Sequence, residues 1–454
     1  MFSGGKLHGA RITVLGAGVS GISIARLARR QGAGVLVSDA AKIAEEAVST
    51  LDENGIRYEQ GGHTGEAMKA DKIVVSSGFP PRAPILEKIA EAGGRVMGEL
   101  DFVMPHIKGR VVGVTGSNGK TTTTSLIGHL ISAAGARCAT AGNIGSPIAD
   151  FAGEDYDYVV LELSSFQLYW ARDIRLAGAI VTNLAPDHID WHGSYEKYVA
   201  AKAGILNFIG DDGFGITRRR DMEPLNAAGK HIVPLEWSDD ENNRHTNAGI
   251  VLSMRDHAAM IEEAELFNFG ETGLIGAHNM ENAAMAMAAI KLLGADITAA
   301  RMSLQSFKAP PHRCELVLLH EGIRYINDSK GTNISASSTA MSSIEGPHIV
   351  ILGGRGKGED FANLAEPVRK FAKRALLIGE AAHEIARSLA RCGFDNFTLA
   401  GNLENAVKIA SGEAESGDTV LLSPACTSWD AYKNFGERGD HFVSLVRKYT
   451  GAAP

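Results

Sequence analysis

The sequence predicts an α/β protein whose domains are built on mainly parallel sheets. Short apolar segments alternate along the chain with stretches whose apolar residues recur at helical spacing. Two of the apolar segments run into glycine-rich turns that have the spacing of phosphate-binding loops. This order of strand, turn and helix is typical of parallel sheets covered by helices, with ligand-binding loops at the carboxyl ends of the strands.

Length and composition narrow the class of protein. A chain of 454 residues with 44% hydrophobic and 22% charged residues is globular and long enough for roughly two to four domains. The formal net charge of −8 argues against a nucleic-acid-binding surface. No segment is apolar enough for a signal peptide or a membrane helix. We therefore expect a cytoplasmic protein that binds neither nucleic acid nor membrane and acts as a monomer on small-molecule substrates.

The cysteines carry no metal or disulfide signature. Cys138, Cys314, Cys392 and Cys426 lie far apart, and none belongs to a CxxC pair. Neither a zinc ribbon nor a disulfide framework is indicated. Scattered thiols of this kind fit a reducing compartment.

Residues 1–106 are predicted to form a Rossmann-like domain. Strands are expected at Arg11–Leu15, at 35–38 and at Lys72–Val75, with a helix after the first strand. Asp39 follows the second strand, at the place where a Rossmann domain binds a ribose.

The loop after the first strand, Gly16-Ala17-Gly18-Val19-Ser20-Gly21, matches the GxGxxG pattern. Such glycines bring a phosphate close to the backbone at a helix N-terminus. From these residues alone, an NAD-dependent dehydrogenase and a domain that binds a nucleotide-linked substrate are equally good interpretations. A glycine turn needed only for helix–strand packing also fits the pattern.

Residues 107–310 are predicted to form a central P-loop ATPase-like domain with a mainly parallel sheet. A strand from Val111 runs into Gly116-Ser117-Asn118-Gly119-Lys120-Thr121 and then into a helix. Glycines turn backbone N–H groups toward phosphate oxygens, the lysine adds a positive charge, and the threonine hydroxyl suits Mg²⁺. The strict pattern requires glycine where this chain has Val114, so the loop is a variant P-loop.

The rest of the central domain continues the same alternation. Further strands are expected at Tyr158–Leu163 and Ala179–Asn183. The segment from Gly210 to Gly273 is polar and broken, and we interpret it as a β-rich elaboration. A helix is expected at Asn279–Leu293, and its Ala and Met residues on several faces predict that it is buried.

Residues 311–454 are predicted to form a C-terminal Rossmann-like α/β domain. We expect this domain to begin near Pro310-Pro311, because two adjacent prolines mark a linker. Strands are expected at Ile349–Leu352, Ala375–Ile378 and Thr419–Leu422, each followed by a glycine, serine or proline turn. Ligand-binding loops are again expected at the carboxyl ends of the strands.

Nine motifs, in order along all three predicted domains, resemble those of the Mur ligase superfamily. They are GVTGSNGKTTT, AGNIG, LELSSFQL, TNLAPDHIDWHGSYEKYVAAK, GAHNMENAAMA, PHRCE, NDSKGTN, LGGRGKG and LLSPACTSWDAYKNFGERGDHF. Nine motifs in order are far more specific than any one alone, and the resemblance covers essentially the whole chain. Within the superfamily, SSFQL and the final segment favour the glutamate-adding member.

The resemblance implies an ATP-dependent amide ligase that also requires Mg²⁺. Such an enzyme adds D-glutamate to UDP-N-acetylmuramoyl-L-alanine through an acyl phosphate, in cytoplasmic synthesis of the peptidoglycan precursors that cell-wall growth, cell shape and cell division require. An L-glutamate-adding variant, another Mur ligase and a folylpolyglutamate synthetase-like ligase are alternatives within this class. A P-loop regulatory or transport ATPase would not need the C-terminal motifs, and an NAD-dependent oxidoreductase would not need the second phosphate loop.

The resemblance also implies which residues bind ATP and metal. The ATP-binding set is Gly116, Ser117, Asn118, Gly119, Lys120, Thr121, Thr122, Asn279, Asn282, Arg313 and Asp328. The catalytic set is Lys120, His188, Lys202, His312 and Lys330, and the Mg²⁺ ligands are Thr121, Glu162, His188 and Lys202, the last as a carbamate. A carbamate forms when CO₂ adds to the lysine amine, which turns a cation into an anion. An exposed helical lysine, a structural histidine and helix-capping asparagines are the ordinary alternatives for such residues.

Two further sets of residues are implied as substrate contacts. The set for the UDP-linked substrate is Gly16, Gly18, Ser20, Asp39, Ser77, Gly78, Asn143, Ser164 and Gln167. The amino-acid set is Thr332, Lys357, Ser428 and Phe435, in which the lysine is the natural partner of a glutamate carboxylate. The chain departs from some family members at the expected uracil contact. Those members use a Thr-Arg pair directly after the aspartate that corresponds to Asp39. Here Ala40-Ala41-Lys42 follows Asp39, so either the lysine substitutes or uracil binds differently.

Overall fold

The computed structural model describes residues 7–227, 231–237, 251–255, 257–262 and 264–452. These residues form three mainly parallel sheets, so the predicted α/β class is confirmed. Contacts divide the chain into two units, Met1–Glu271 with Ala283–Gln305 and Thr272–Asn282 with Ser306–Pro454. The first two sheets belong to the first unit and the third sheet to the second. The strands of each sheet fall inside one of the three predicted domains, whose borders stay predictions.

The first sheet carries the N-terminal glycine loop. Its strands are β1 (Arg11–Leu15), β2 (Gly34–Asp39), β3 (Arg57–Gln60), β4 (Lys72–Val75) and β5 (Val96–Gly98). Its helices are α1 (Val19–Arg30), α2 (Glu45–Glu53), α3 (Pro84–Glu91) and α4 (Glu99–Val103). All neighbouring strands are parallel, in the order β3-β2-β1-β4-β5. Because the strand order reverses at β1, the loops after β1 and β4 diverge and leave a crevice suited to a ligand.

The second sheet carries the P-loop. Its strands are β6 (Arg110–Thr115), β7 (Cys138–Gly142), β8 (Tyr158–Glu162), β9 (Leu176–Val181), β10 (Ile209–Arg218), β11 (Ile232–Trp237), β12 (Leu252–Arg255), β13 (Ala258–Ile261) and β14 (Ala264–Asn268). Its helices are α5 (Lys120–Ala133), α6 (Ser165–Trp170), α7 (Ile189–His192), α8 (Tyr195–Ala203), α9 (Ala277–Leu293) and α10 (Ile297–Ser303). The order is β14-β13-β12-β11-β10-β9-β6-β8-β7, parallel from β7 to β12 and antiparallel beyond. Since β6 lies between β8 and β9, the loops after these three strands meet at one edge.

The third sheet makes up most of the second unit. Its strands are β15 (Glu315–His320), β16 (Ile323–Asn327), β17 (His348–Gly353), β18 (Ala372–Ile378), β19 (Phe397–Gly401) and β20 (Thr419–Leu422). Its helices are α11 (Ile334–Ser343), α12 (Ala362–Phe371), α13 (Ala382–Arg391), α14 (Leu403–Glu413) and α15 (Phe435–Thr450). The order is β15-β16-β20-β17-β18-β19, and only the pair β15–β16 is antiparallel.

Several predicted elements differ from the structure at their ends. The strand predicted at Ala179–Asn183 is wrong in its bounds: β9 ends at Val181, because Thr182 and Asn183 turn their polar groups to the P-loop. The segment predicted to be β-rich contains most of β10 and all of β11 to β14. Residues 228–230, 238–250, 256 and 263 of this segment lie outside the described residues.

The long helix α9 is buried, as its composition predicts. It begins at Ala277, two residues before the predicted start, and residues 283–290 have no exposed surface. Because Ala and Met occupy every face, no polar stripe is left for solvent. In the part of the chain that the structure describes, no helix is both long and apolar enough to cross a membrane.

Candidate functional site

A glycine loop between β6 and α5 forms the candidate phosphate-binding site. Gly116 (φ 144°) and Gly119 (φ 81°) have backbone conformations that residues with a side chain rarely adopt. A Cβ at Gly116 would lie 2.0 Å from the hydroxyl of Thr182, so this position also has no room for a side chain. Gly119 is the N-cap of α5, and the positive end of that helix therefore faces the loop.

Neighbouring segments fix the shape of this loop. The Asn118 N–H donates to Oδ1 of Asn183 (2.9 Å), and Nδ2 of Asn183 donates to the Asn118 carbonyl (2.9 Å). The Ser117 hydroxyl donates to the Ala185 carbonyl (2.8 Å) and lies 2.9 Å from the hydroxyl of Tyr198 on α8. The loop is thus held by the segment after β9 and by α8, both of which carry predicted site residues.

Two predicted lysines meet at the P-loop. Nζ of Lys120 donates to the carbonyls of Gly116 (2.9 Å) and Ser117 (3.0 Å). Nζ of Lys202, on α8, donates to the same Gly116 carbonyl (2.7 Å), and only 2% of Lys202 is exposed. Burial, together with the charge of Lys120, holds the pKa of Lys202 well below its ordinary value. Lys202 therefore loses its proton more readily than an exposed lysine does. The structure shows that Lys202 is not an exposed helical lysine.

Glu162 ends β8 beside the P-loop and is 2% exposed. Its Oε1 accepts a hydrogen bond from Nδ2 of Asn143 (2.9 Å), so this predicted substrate residue contacts the predicted metal ligand. Oε2 of Glu162 is buried and has no hydrogen-bond partner among the described residues. A buried carboxylate oxygen left without a donor suits an oxygen-binding cation such as Mg²⁺.

His188 follows the same sheet edge and has a left-handed backbone (φ 53°). Its Nε2 lies 3.6 Å from Oδ2 of Asp187, and its ring packs 4.8 Å from that of Phe166. Among the described residues, no three His, Cys, Asp or Glu side chains cluster as a metal site. The predicted ligands are of another kind: the Thr121 hydroxyl with Glu162, and His188 with a carbamate on Lys202.

His192, at the end of α7, is a buried neighbour that the sequence analysis did not assign. Its Nε2 lies 2.9 Å from Oγ of Ser165, and the residue is 5% exposed. Burial, with smaller effects from His188 and Lys202, lowers the pKa of His192 to about 4. The ring is therefore neutral at neutral pH.

A cleft of about 540 Å³ opens at the crevice of the first sheet. Its lining includes four predicted substrate residues, Gly16, Gly18, Asp39 and Gly78. The volume and position fit a nucleotide-linked ligand at the switch point of a parallel sheet. Lys42, the suggested substitute for the uracil contact, is not among the lining residues.

Asp39 organises the turns on both sides of this cleft. Its Oδ2 accepts from the Ala17 N–H (2.7 Å), and its Oδ1 accepts from the Ala41 N–H (2.8 Å). A Cβ at Gly21 would lie 1.9 Å from the Gly16 carbonyl oxygen, so Gly21 lets α1 pack against the loop. Helix–strand packing is therefore part of the GxGxxG pattern in this chain.

Ser164 and Gln167 form a capping box at the start of α6. The Gln167 N–H donates to Oγ of Ser164 (3.1 Å), and Oε1 of Gln167 accepts from the Ser164 N–H (2.9 Å). Nε2 of Gln167 also donates to Oε2 of Glu99 (3.2 Å), and Ser20 and Ser77 lie at the same carboxyl, with their Oγ atoms 2.9 Å apart. Glu99 thus joins three predicted substrate residues, and the sequence analysis did not identify it.

Asn279 and Asn282 lie at the start of α9 and are both buried. Nδ2 of Asn279 donates to the Ile275 carbonyl (2.8 Å), and Nδ2 of Asn282 donates to Oδ1 of Asn279 (3.2 Å). The two amides share a helix face, as their spacing predicts. These contacts fix the amide orientations and leave the predicted adenine contact as a prediction.

In the second unit, His312 is held by the strand β16 and the helix α15. Nδ2 of Asn327 approaches Nδ1 of His312 (2.9 Å) and donates to the Gly439 carbonyl (3.2 Å). A Cβ at Gly439 would lie 2.2 Å from Nδ1 of His312, so only glycine permits this approach. Nε2 of His312 lies 3.6 Å from Oδ1 of Asp440.

Asp328 directly follows β16 and is buried. Its Oδ2 accepts from the Ser423 hydroxyl (2.6 Å), and its Oδ1 accepts from the Cys314 N–H (3.3 Å). Burial raises the pKa of Asp328 to about 6, although these hydrogen bonds and the charge of Arg313 act in the other direction. The predicted ATP-binding pair of Arg313 and Asp328 is thus electrostatically coupled.

Lys330 and Phe435 come together through the buried residue Arg438. Nζ of Lys330 lies 4.1 Å above the Phe435 ring. Arg438 is 1% exposed and donates to the carbonyls of Ser329 (2.8 Å) and Cys426 (3.2 Å). It therefore fixes the segments that precede Lys330 and follow β20, and the sequence analysis did not identify it.

The remaining predicted amino-acid residues follow neighbouring strands of the third sheet. The Gly331 carbonyl, next to Thr332, accepts from the Ala425 N–H (2.8 Å). Arg355 and Thr427 exchange two backbone hydrogen bonds of 3.0 Å, which join the loop of Lys357 to the turn of Ser428. All four predicted residues are thus at the carboxyl edge of β16, β17 and β20.

The two units contain a P-loop nucleotide-binding domain and α/β domains at whose strand ends the predicted site residues gather. Residues 11–85 match the MurD N-terminal domain, residues 114–290 the Mur ligase middle domain, and residues 312–426 the Mur ligase glutamate ligase domain. The chain belongs to the Mur ligase family.

Two relatives of this chain carry the same enzyme name, and a solved structure shares its fold. The UDP-N-acetylmuramoylalanine--D-glutamate ligase of Pelotomaculum thermopropionicum is 37% identical over 96% of this chain and 97% of its own. The ligase of the same name from Desulfitobacterium hafniense is 36% identical over 98% and 99%. The structure of the MurF ligase from Thermotoga maritima in complex with ADP shares the fold, with a TM-score of 0.60, 15% identity and coverage of 92% and 95%.

Proposed function

We propose that this chain is a cytoplasmic ATP-dependent ligase that adds D-glutamate to UDP-N-acetylmuramoyl-L-alanine for peptidoglycan precursor synthesis. The relatives named for this activity match over almost their full length. The observation that carries the proposal is the meeting of Lys120, Lys202 and Glu162 at one P-loop. Both lysines bind the Gly116 carbonyl, and the strand that ends in Glu162 is the neighbour of β6.

The reaction makes an amide from an unreactive carboxylate. The γ-phosphoryl group of ATP passes to a carboxylate oxygen of the muramoyl-alanine, which gives an acyl phosphate and ADP. The amine of the incoming amino acid attacks the acyl carbon, the C–O bond to phosphate breaks, and inorganic phosphate leaves while the amine loses a proton. Negative charge gathers during both steps, so fixed positive groups and correct positioning dominate catalysis.

The first unit supplies the phosphate chemistry. Nζ of Lys120 donates to two carbonyls of the phosphate loop, and we assign it to the outer phosphates of ATP. The glycine loop and the N-terminus of α5 bind the same anion. The UDP-linked acceptor occupies the cleft at Gly16, Gly18 and Gly78.

Two Mg²⁺ sites follow from the same residues. Thr121 and Glu162 would hold one ion, and the unpartnered Oε2 of Glu162 supports this assignment. His188 and a carbamate on Lys202 would hold the other. The lowered pKa of Lys202 supports the carbamate, because only the neutral amine reacts with CO₂. Bound Mg²⁺ neutralises phosphate charge when present.

The second unit supplies residues for the nucleotide and the amino acid. Asn279 and Asn282 meet adenine, while Arg313 and Asp328 serve the phosphate or ribose side of ATP. Lys330 and His312 stabilise charge at the reacting phosphate. The amino-acid pocket consists of Thr332, Lys357, Ser428 and Phe435, where Lys357 pairs with the side-chain carboxylate of glutamate.

The direct test is product formation by the purified chain. ATP, Mg²⁺ and UDP-N-acetylmuramoyl-L-alanine are supplied with a panel of D- and L-amino acids. The release of phosphate and the mass of the product are then measured. We expect an amide product with D-glutamate. A product with L-glutamate instead would assign the L-specific variant. Nucleotide hydrolysis without any muramoyl amide would contradict the proposal.

A further inference from the structure

Glu99 is a buried carboxyl that links three separate segments of the first unit. It is the first residue of α4, and 2% of it is exposed. Nε2 of Gln167, on α6, donates to its Oε2 (3.2 Å). Ser20, on α1, and Ser77, after β4, lie at the same carboxyl and bond to each other. One side chain thus ties the first sheet to the second.

The three partners of Glu99 are all residues of the proposed acceptor site. Ser20 belongs to the N-terminal glycine loop, and Ser77 precedes Gly78, which lines the cleft. Gln167 caps α6 three residues after Ser164 and close to the end of β8. Loss of the Glu99 side chain would therefore disturb acceptor-site residues at the N-terminal cleft and at α6 together.

Burial and the hydrogen-bond partners act on the pKa of the Glu99 carboxyl in opposite directions. Burial raises the pKa of Glu99, while its contacts with Gln167, Ser77 and Ser20 act in the other direction. The side-chain amide of Gln167 and the two serine hydroxyls can each donate a hydrogen bond to this carboxyl. No lysine or arginine contributes to the shift.

We propose that Glu99 is a positioning residue that holds Ser20, Ser77 and Gln167 in the arrangement that binds the UDP-linked acceptor. Glu99 does not touch the reacting atoms. The identity of the acceptor rests on the proposed function, whereas the linkage between the three segments does not depend on it.

Asp101, on the same helix, offers a matched control. It is 8% exposed, and its carboxylate accepts from the N–H groups of Arg172 (2.9 Å) and Asp173 (2.8 Å). It is thus a buried acid of α4 that fixes a loop without contacting the acceptor-site residues. A purely structural role for buried acids of this helix predicts equal effects at both positions.

The kinetic test compares Glu99→Ala, Glu99→Gln and Asp101→Ala with the full-length wild-type chain. We expect Glu99→Ala to raise the KM for UDP-N-acetylmuramoyl-L-alanine about tenfold or more, because a set of buried hydrogen bonds is lost. The KM values for ATP and D-glutamate should change by no more than about twofold. Glu99→Gln should restore most of the affinity, since it keeps the shape and the hydrogen bonds. Asp101→Ala should leave the acceptor KM unchanged.

A second measurement separates this inference from the proposed function. Amide hydrogen exchange without substrates should become faster at residues 76–78 and 164–168 in Glu99→Ala, and slower exchange should return in Glu99→Gln. Asp101→Ala should affect residues 172–173 instead. A wild-type chain that makes no product would refute the proposed function alone. An unchanged acceptor KM in an active Glu99→Ala, or unchanged exchange in these segments, would overturn the role of Glu99.

Discussion

The chain contains two motifs of a strand, a glycine loop and a helix: the N-terminal loop after β1 and the P-loop after β6. The two motifs are alike in sequence but differ in the charged residues around the loop. In the first, the carboxylate of Asp39 accepts the backbone N–H of Ala17. In the second, the amines of Lys120 and Lys202 both donate to the carbonyl of Gly116. An acid therefore organises the N-terminal loop, and two bases organise the P-loop.

This difference shows what glycine spacing does and does not determine. Glycine permits the tight turn in both loops, as the positive φ angles of Gly16 (95°) and Gly116 (144°) indicate. The charges that surround the turn decide which chemistry it serves. A cationic lysine beside a loop, such as Lys120, favours phosphate transfer, because it stabilises the negative charge that develops. A carboxylate that holds the backbone favours binding of an uncharged sugar or base.

The largest effect is expected at Lys120. Lys120→Ala should lower kcat on the order of a thousandfold, because a donor aimed at the transferred phosphate is lost. Phosphate release with acceptor and D-glutamate measures this, and the unfolding midpoint should stay close to that of the wild type. Lys108→Ala is the control, since Lys108 pairs with Asp155 at the surface (2.7 Å). Normal phosphate release by Lys120→Ala would contradict the role of Lys120, and with it the proposed difference between the two loops.

The next effect is expected at Lys202. Lys202→Met keeps the apolar stem but removes the amine, and activity should fall about a hundredfold. In ¹³C-bicarbonate, the wild type should show a carbamate resonance by NMR that Lys202→Met lacks. Lys197→Met, exposed on the same helix, should keep both the activity and the resonance. A resonance that survives in Lys202→Met would assign the carbamate elsewhere.

A pair of glycine substitutions tests the first loop. Gly21→Ala should lower the free energy of unfolding by about 1–3 kcal/mol, because its Cβ meets the Gly16 carbonyl. Gly18→Ala should leave stability nearly unchanged, since a Cβ there has nothing within 4 Å. Gly18 lines the cleft, so its methyl group should instead raise the acceptor KM. Denaturant unfolding and steady-state kinetics give both values; equal stability of the two variants would contradict this division.

The smallest effect concerns pH and has opposite signs in the two regions. The pKa of His192 is lowered to about 4 in the folded chain, below its value of 6.5 when exposed. The neutral ring therefore contributes about 1–3 kcal/mol to the free energy of unfolding above about pH 6.5. This contribution is lost as pH falls toward about 4. The raised pKa of Glu99 acts the other way, because its contribution is lost as pH rises. Unfolding of His192→Asn should depend less on acid than that of the wild type; an identical dependence would contradict the assignment.

Local patterns allowed much of the fold to be predicted from the sequence. The predicted strands β1, β4 and β20 match the structure at both ends. Each is a run of branched apolar residues that ends where a glycine or serine begins a turn. The P-loop was recognisable because lysine and threonine follow the glycines immediately. One local signal was missed: Ser164 and Gln167 have the spacing of a capping box, which predicts their mutual hydrogen bonds.

Residues whose partners are distant in the chain were not predictable. Glu99 meets Gln167 across 68 positions, and Arg438 meets Ser329 across 109. Nothing in the neighbouring sequence distinguishes either from an ordinary surface charge. Asn143 was assigned to the substrate from the sequence, but the contact of its amide with Glu162 was not predictable. Its role at the end of β7 follows only from the pairing of β7 with β8.

Arg438 has a consequence for how the enzyme becomes active as it is made. The guanidinium on α15 donates to a segment that leaves the ribosome 109 positions earlier, at Ser329, and to another 12 positions earlier, at Cys426. Until α15 has emerged, the carbonyls of Ser329 and Cys426 lack their donor. A nascent chain can therefore complete its phosphate-handling half long before its amino-acid pocket takes shape, because that pocket needs α15.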